Sequence, residues 1–258
     1  MSDERAIVDR AVAYAGGAER WDALEALEVH IRVGGLAFRM AGVLDRVGDD
    51  DLVVRVHEPR TELRSRDTPG WHGVFDHGEA RLLDAAGATR ASRSPAVRPQ
   101  RAPWPRAGWD DLDAIAFAGY ASWNYLTFPV LLRRPDAQLE SIGTHRIAGE
   151  DVQGLRVRFP PSVPTHGYSD VLWFTADGAL RRHDYRARMI APWALAANVV
   201  LEEQSAFGIT VPCRRRVTPQ LPLRRVAPSP PRSSPRAAWC GIAISNAGSR
   251  TRPSAWRS

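Results

Sequence analysis

The sequence predicts an α+β fold in which about ten or eleven short strands, nearly all antiparallel neighbours, accompany two helices. Three observations lead to this prediction. Apolar and polar residues alternate in runs through most of the chain, as they do in strands with one buried face. Turn residues separate these runs, and the regular strand-helix alternation of a doubly wound sheet is missing. Finally, Asp177-Gly178 joins two such runs, which is a strong hairpin signal.

The first helix and a first group of strands follow from the pattern of residues 1–108. Ser2 or Asp3 can cap a helix that ends at Gly16-Gly17, and a short helical turn is expected around Glu19 to Ala23. Residues 87–108 are rich in Arg, Pro, Ser and Ala, which predicts a weak edge strand and an exposed loop. The predicted strands between these segments cover residues 27–33, 36–47, 52–57, 61–66, 71–77 and 79–84.

The second helix is expected to begin at Trp109 and to be mostly buried. Asp110 or Asp111 is a suitable N-cap, because acidic side chains favour the positive end of a helix dipole. Apolar residues from Leu112 to Val130 recur at helical spacing and form a broad stripe. Pro129 should end or kink the helix, since proline removes a hydrogen-bond donor.

A central hairpin covers residues 154–188, and further strands are predicted at 137–148, 194–205 and 209–217. A type I′ turn at Asp177-Gly178 would fix the register of the hairpin. The residue pairs expected across the ladder are then Leu172 with His183, Asp170 with Tyr185, Phe174 with Arg181, and Trp173 with Arg182.

The charge of the chain divides sharply at residue 212. All 35 basic residues are Arg; residues 1–212 hold 25 of them and all 29 acids, whereas residues 213–258 hold 10 Arg and no acid. We therefore predict one folded domain, residues 1–218, and a disordered Arg/Pro/Ser-rich tail, residues 219–258. A shifted reading frame over GC-rich DNA would also produce such a tail. The basic residues form no recognisable module, so we predict no nucleic-acid partner.

Several other classes of protein are disfavoured. No apolar run approaches the ~18 residues that span a bilayer, so we expect no stable membrane insertion. The N-terminus has acids beside its arginines and is a poor secretory signal, which predicts a cytoplasmic protein. Cys213 and Cys240 make no metal pattern, and a disulfide between them is not expected. Nucleotide, hydrolase and zinc motifs are missing, so we predict no metal and no cofactor.

The best chemical cluster lies on the central hairpin. In the predicted register Tyr168, Asp170, His183 and Tyr185 share one face, with Asp170 diagonal to His183, and His166 lies just before them. A histidine beside a carboxylate can act as an acid or base, or anchor a ligand, and it can equally form a polar network that rigidifies the hairpin. The catalytic candidates are His183, His166, Asp170 and Tyr185.

Five segments of the chain resemble LolA-type lipoprotein carriers. The resemblance covers roughly residues 5–217, and it implies an α+β fold with a strongly curved antiparallel sheet, an open half-barrel, wrapped around helices. Such proteins hold an acyl chain or another apolar molecule between sheet and helices, and they usually carry a secretion signal, which this N-terminus does not match. The segments are GGAERWDAL (16–24), WNYLTFPVLL (123–132), THGYSDVLWF (165–174), DGALRRHDY (177–185) and Val211-Pro212.

A curved sheet of this length encloses more space than two helices fill, which predicts a cavity for an apolar ligand. The side chains expected to bind that ligand are apolar or aromatic, and any one of them can also be ordinary core. They are Trp123, Tyr125, Phe128, Tyr168, Leu172, Phe174 and Trp193.

Three functions remain open from the sequence. The leading hypothesis is a soluble binding protein for a hydrophobic or amphipathic, lipid-like molecule. The alternatives are an enzyme acting on such a molecule through the His/Asp/Tyr cluster, and an interaction module without a ligand. A cavity of ligand size lined by apolar residues favours the first, and a solvent-accessible His183 within hydrogen-bond distance of Asp170 favours the second. A packed interior leaves only the third.

Overall fold

A computed structural model describes residues 2–35, 38–39, 42–97, 109–220 and 238–243. Within these ranges the α-helices include α1 (Asp3–Tyr14), α2 (Ala18–Ala23), α3 (Leu44–Val47) and α4 (Asp111–Leu131), and residues 38–39 are also helical. The prediction of two helices is therefore too low. The short turn expected near Glu19 is the helix α2, and α3 lies in a segment predicted as strand.

Twelve of the thirteen strands fall into two groups of six. The first group is β1 (Ala26–Arg32), β2 (Asp49–Arg55), β3 (Arg60–Ser65), β4 (His72–Asp76), β5 (Glu79–Leu83) and β6 (Thr89–Arg93). The second is β7 (Gln138–Ile147), β8 (Glu150–Arg158), β9 (Asp170–Phe174), β10 (Leu180–Arg186), β11 (Leu195–Ala206) and β12 (Ile209–Pro219).

All neighbouring strands are antiparallel, which confirms the α+β class and the absence of a doubly wound sheet. In each group the strands lie in chain order, and β13 (Ala238–Ala243) pairs with both β1 and β12 to join the groups. The described strands do not close into a barrel, because β6 and β7 stand at opposite ends of this order. Strand β13 lies within the segment 219–258 that is predicted as a tail; residues 221–237 and 244–258 lie outside the described residues.

The strand predicted at residues 36–47 is wrong where the structure describes it. Residues 38–39 are helical and not extended, and Gly42 then turns with a φ of 72°. The carbonyl of Val43 accepts from the amides of Arg46 and Val47. The helix α3 results, with Val43 and Val47 buried. The apolar residues of this segment reach the core on a helical turn instead of a strand.

Helix α4 begins with a capping box and lies at the centre of the fold. The Asp110 side chain accepts from the Asp113 amide at 2.8 Å, and Asp113 accepts from the Asp110 amide in return. The predicted N-cap is thus confirmed, although the helix starts at Asp111 and not at Trp109. It ends at Leu131, two residues after Pro129, as the lost donor of proline would suggest. Both main apolar clusters of the core include residues of this helix.

The central hairpin turns differently from the prediction. Only Gly178, with a φ of 98°, takes the left-handed conformation, and the Thr175 amide donates to Ala179 O at 2.9 Å. This is a longer loop with a bulge, so Phe174 pairs with Leu180 and not with Arg181. The register recovers beyond the bulge, and Leu172 pairs with His183 and Trp173 with Arg182, as predicted.

The two faces of the hairpin carry different chemistry. On the face away from α4, Trp173 Nε1 and Arg182 Nη2 both donate to Asp184, at 3.0 and 2.8 Å. On the face toward α4, Leu172 and Leu180 are buried beside Asp170 and His183. Strand alternation separates these two sets, which is why the ion pair does not enter the space under α4.

Candidate functional site

A small cavity lies between the second half of α4 and strands β8, β9, β10 and β12. Its volume is about 20 Å³, room for about one water molecule. Its apolar lining comprises Phe128, Leu131, Leu132, Val157, Phe159, Leu172 and Leu180. Its polar lining comprises Asn124, Tyr125, Asp170, His183 and Arg215. The polar residues meet an otherwise apolar space, which is the usual composition of a ligand site.

Helical and strand periodicity place these side chains. Tyr125 and Phe128 are three residues apart on α4 and so share one face of the helix. Asp170 and Leu172 are two residues apart on β9 and so lie on one face of the sheet. His183 on β10 lies on the same face, opposite Leu172. One helix face and two neighbouring strands therefore converge on the cavity.

His183 and Asp170 form a buried pair at the polar end. His183 Nε2 lies 3.1 Å from Asp170 Oδ2, and the two residues are 6% and 4% exposed. The other carboxylate oxygen, Asp170 Oδ1, is buried and has no hydrogen-bond partner among the described residues. A buried polar atom without a partner is rare in folded proteins, and an absent water or ligand is a common explanation.

His166 lies next to this pair in an aromatic environment. Its ring stacks on Tyr185 at 4.0 Å between centroids and lies 5.2 Å from the ring of Tyr125. Neither ring nitrogen of His166 has a hydrogen-bond partner in the described part of the chain. Desolvation, with smaller contributions from His183 and Arg215, lowers the pKa of His166 well below 6.5. The residue is therefore a neutral imidazole at neutral pH.

Two tyrosines extend the polar end of the cavity. The hydroxyls of Tyr125 and Tyr185 are 2.7 Å apart. Burial raises the pKa of Tyr125 to about 12, and burial also raises the pKa of Tyr185 well above 10. Both phenols stay protonated at neutral pH, so they can donate and accept hydrogen bonds but cannot act as anionic bases.

Arg215 brings a positive charge to the same region. Its Nη2 donates to the backbone oxygen of Tyr125 at 2.9 Å, and its guanidinium lies 4.8 Å from the centre of the Tyr125 ring. Arg215 is the basic counterpart of Asp170 in the lining, where the imidazole of His183 also lies. The lining therefore holds a guanidinium group as well as a carboxyl group.

The structure brings most of the predicted site residues together. Tyr125, Phe128, Leu172, Asp170 and His183 line the cavity. The other predicted residues inside the protein lie near the cavity or in the core. The rings of Phe174 and Phe128 are 6.2 Å apart between centroids, and His166 stacks on Tyr185 beside the polar end. Trp123 is buried in the main core.

Tyr168 and Trp193 do not lie in the interior. They are 69% and 60% exposed, and the guanidinium of Arg188 covers the Tyr168 ring at 4.0 Å. Tyr168 precedes the first residue of β9, and Trp193 lies between β10 and β11. Neither residue belongs to a strand, so the alternation that predicted an inward Tyr168 does not apply to it, and no period places Trp193.

Sequence reasoning missed Arg215 and Asn124. Arg215 follows Val211 and Cys213 at two-residue spacing, and all three are buried on one face of β12. An arginine at an inward position of a predicted strand is a signal that could have identified it. Asn124 Nδ2 donates to Tyr120 O and Pro164 O, both at 2.7 Å, and nothing in the local sequence predicts the second contact.

A larger space of about 510 Å³ opens at the other end of the molecule, beside the segment between β1 and β2. Its lining includes Arg32, Arg39, Asp45, Asp49 and Asp67. Arg32 Nε donates to Asp49 Oδ2 at 2.8 Å, so part of this charge is already paired. A charged lining does not suit an apolar molecule, and we place the candidate site at the smaller cavity.

Two further searches concern metals and membranes. Within the described ranges, no group of three or more His, Cys, Asp or Glu side chains is placed to hold a metal ion. None of the helices in those ranges is long and apolar enough to cross a membrane.

Comparison with known proteins identifies the fold. No protein-family model matches the sequence, and no curated protein matches it. A crystal structure of a LolA superfamily protein from Nitrosomonas europaea is 12% identical, with a TM-score of 0.51, over 94% of this chain and 92% of that one. The chain therefore has a LolA-like fold, as its sequence predicts.

Two other solved structures are similar at lower scores. A DUF1329 family protein from Desulfovibrio piger is 14% identical over 95% of this chain and 92% of its own, with a TM-score of 0.46. A putative outer membrane lipoprotein-sorting protein domain from Vibrio parahaemolyticus is 9% identical over 92% and 91%, with a TM-score of 0.41. Scores below 0.5 carry no argument about this chain.

Proposed function

We propose that the protein binds an apolar or amphipathic small molecule between α4 and strands β8–β10. Its apolar part lies against Phe128, Leu172 and the other apolar side chains of the lining, and its polar end meets Asp170 and His183. The observation that carries this proposal is Asp170, which lines an otherwise largely apolar cavity and whose buried Oδ1 has no hydrogen-bond partner among the described residues.

The fold supports the same conclusion from a different direction. The LolA-like fold is the one for which the sequence resemblance implies an acyl chain or another apolar guest. The described residues place the cavity between helix and sheet, where that guest would lie.

Binding requires the cavity to expand. A volume of about 20 Å³ is far below that of a lipid chain, so α4 and the hairpin must separate as the ligand enters. Each methylene buried in this way contributes about 0.8 kcal/mol. Long, flexible side chains such as Leu131, Leu132 and Leu180 can change rotamer to make room.

The direct test is uptake of N-phenylnaphthylamine, an uncharged apolar dye whose fluorescence rises in apolar surroundings. The wild-type protein should bind it in a saturable manner. Leu172→Phe adds volume inside the cavity and should weaken binding at least tenfold while the protein stays folded. Leu195→Phe is the matched control, because Leu195 is 44% exposed on β11. The proposal is wrong if the wild type shows no saturable binding or if both variants bind the dye equally.

A second candidate function is acid–base catalysis on the bound molecule. The His183–Asp170 distance of 3.1 Å favours it, but His183 is only 6% exposed, so a substrate reaches it only when the cavity expands. Asp170 would orient the His183 ring, and His183 would transfer the proton. The bound molecule, recovered after incubation, should then change in mass with the wild type but not with His183→Gln. An unchanged ligand with both proteins leaves binding as the function.

A further inference from the structure

The polar end of the cavity specifies a hydrogen-bond donor. Asp170 Oδ2 already accepts from His183 Nε2 at 3.1 Å, and Oδ1 has no partner among the described residues. A carboxylate oxygen only accepts hydrogen bonds. An occupant that satisfies Asp170 Oδ1 must therefore present an O–H or N–H group.

Apart from His183, the lining holds one acidic and one basic side chain. These are Asp170 and Arg215, and Arg215 Nη2 donates to Tyr125 O at 2.9 Å. A carboxylate beside Asp170 would meet a like charge in a medium of low dielectric constant. An ammonium group would pair with Asp170, but it would leave the buried region with a net positive charge.

Besides His183, which is already bonded to Asp170 Oδ2 at 3.1 Å, three titratable side chains lie at this end of the cavity and carry no charge at neutral pH. His166 has a pKa well below 6.5 because of desolvation, so its imidazole is neutral. The hydroxyls of Tyr125 and Tyr185 stay protonated because burial raises the pKa of each. Each of these groups can take part in hydrogen bonds with an uncharged head, and none supplies a counter-charge for an ionic one.

We infer that the ligand ends in an uncharged hydroxyl group that donates to Asp170 Oδ1, as a long-chain alcohol does, and that fatty acids and alkylamines are disfavoured. This inference rests on the proposed binding function and adds its selectivity. A hydroxyl satisfies the free oxygen without adding a charge, and its alkyl chain extends along Phe128, Leu172 and Leu180.

The test is displacement of N-phenylnaphthylamine from the full-length protein at neutral pH by three compounds with the same twelve-carbon chain. Dodecanol should compete at least tenfold more strongly than dodecanoate or dodecylammonium. Equal or stronger competition by either ionic compound overturns the selectivity while leaving binding intact. Dye binding that none of the three compounds reduces argues against both the selectivity and the binding of a chain in this cavity.

Asp170→Asn tests the residue itself. It keeps the shape of the side chain, removes the charge and offers an amide N–H₂, so dodecanol should lose about tenfold in affinity while dodecanoate gains. Asp151→Asn, at an exposed position on the neighbouring β8, should leave the order of the three ligands unchanged. If Asp170→Asn ranks the three ligands as the wild type does, Asp170 does not determine the selectivity. The comparison of the three ligands on the wild-type protein tests the selectivity even if neither variant folds.

Discussion

The two sides of helix α4 differ in how closely they meet the sheet. Toward β3 and β4 the helix packs without space: a Cβ on Gly119 would lie 2.2 Å from Phe75 Cβ, and one on Gly73 would lie 2.5 Å from an Ile115 side-chain carbon. Thr61 Oγ1 also donates to Gly119 O at 3.0 Å. Toward β8–β10 the same helix leaves a cavity with a carboxylate and two histidines beside it.

This difference in packing indicates that one side of α4 stabilises the fold and the other side is suited to binding. The tight side gains stability from close packing, because every lining atom has contact partners. The loose side gives up contacts and keeps polar atoms unsatisfied, which lowers stability unless something fills the space. Residues that weaken a fold without an evident structural gain are typical of binding sites.

The largest expected effect comes from truncating one leucine on each side. Leu63→Ala, in the core against α4, should lower the free energy of unfolding by about 4 kcal/mol, because it empties a fully packed position. Leu172→Ala should lower it by only about 2 kcal/mol, since Leu172 already borders a cavity. Urea denaturation of both variants measures the difference. Equal losses would contradict the contrast between the two sides.

The close approach at Gly119 should be nearly as sensitive. Gly119→Ala must push the helix away from Phe75, and we expect a loss of about 2 kcal/mol in urea denaturation despite the better helix propensity of alanine. Gly167→Ala adds the same methyl group where the nearest atom is 3.3 Å away, and it should change stability by less than about 1 kcal/mol. A stabilised Gly119→Ala protein would show that the packing is loose.

Asp50 should make the β1–β2 end of the molecule sensitive to rising pH. Burial, then the charges of Asp49, Asp67 and Asp51, raises the pKa of Asp50 to about 8. A raised carboxyl pKa means that its contribution to stability is fully present below about 4 and is lost as the pH rises toward 8.

Asp50→Asn cannot ionise, so it removes the loss of stability that the wild type shows as the pH rises. At pH 7 the variant should be more stable than the wild type by about 2 kcal/mol, because the cost of burying the amide offsets part of the gain. Urea denaturation of both proteins at pH 5 and pH 7 measures the difference in free energy of unfolding. A gain that does not grow with pH would contradict the shifted pKa.

His166 should make the cavity side sensitive to falling pH. Its lowered pKa means that the unfolded chain binds the proton first, so stability is lost as the pH drops below about 6.5. His166→Phe keeps an aromatic ring on Tyr185 and removes two unpartnered nitrogens, so it should stabilise the protein by about 1 kcal/mol at pH 7 and by more at pH 5.

Thermal and urea denaturation of His166→Phe and of His57→Phe, an exposed control position, measure this effect. A destabilised His166→Phe protein would show that the imidazole nitrogens have partners.

Much of this contrast can be read from the sequence, because it follows from local periodicity. Alternation on β9 and β10 predicts that Leu172, Asp170 and His183 share one face, as they do. The pairing of Leu172 with His183 is predicted from a type I′ turn, and it is correct because the bulge after Leu180 restores the predicted register. The pairing of Phe174 could not be predicted, since the bulge depends on which turn residue takes positive φ. Residues outside regular strands, Tyr168 and Trp193, have no period from which to place them.

Long-range contacts set the remaining limits. Strand β13 has little alternation of its own and forms against β1 and β12, which lie far from it in the chain. The cavity lies where α4 packs less closely, toward β8–β10, than it does toward β3 and β4. No local sequence pattern predicts which side of the helix packs more closely. The cytoplasmic location and the domain boundary at residue 218 stay predictions.

The most direct test of a ligand-binding cavity under α4 is native mass spectrometry of freshly purified protein, followed by organic extraction and identification of what is released. We expect one molecule per chain, apolar along its length and ending in an uncharged hydroxyl, and we expect its loss from Leu172→Phe but not from Leu195→Phe. A protein that carries no such molecule, and that takes up neither N-phenylnaphthylamine nor dodecanol when these are supplied, would contradict the account.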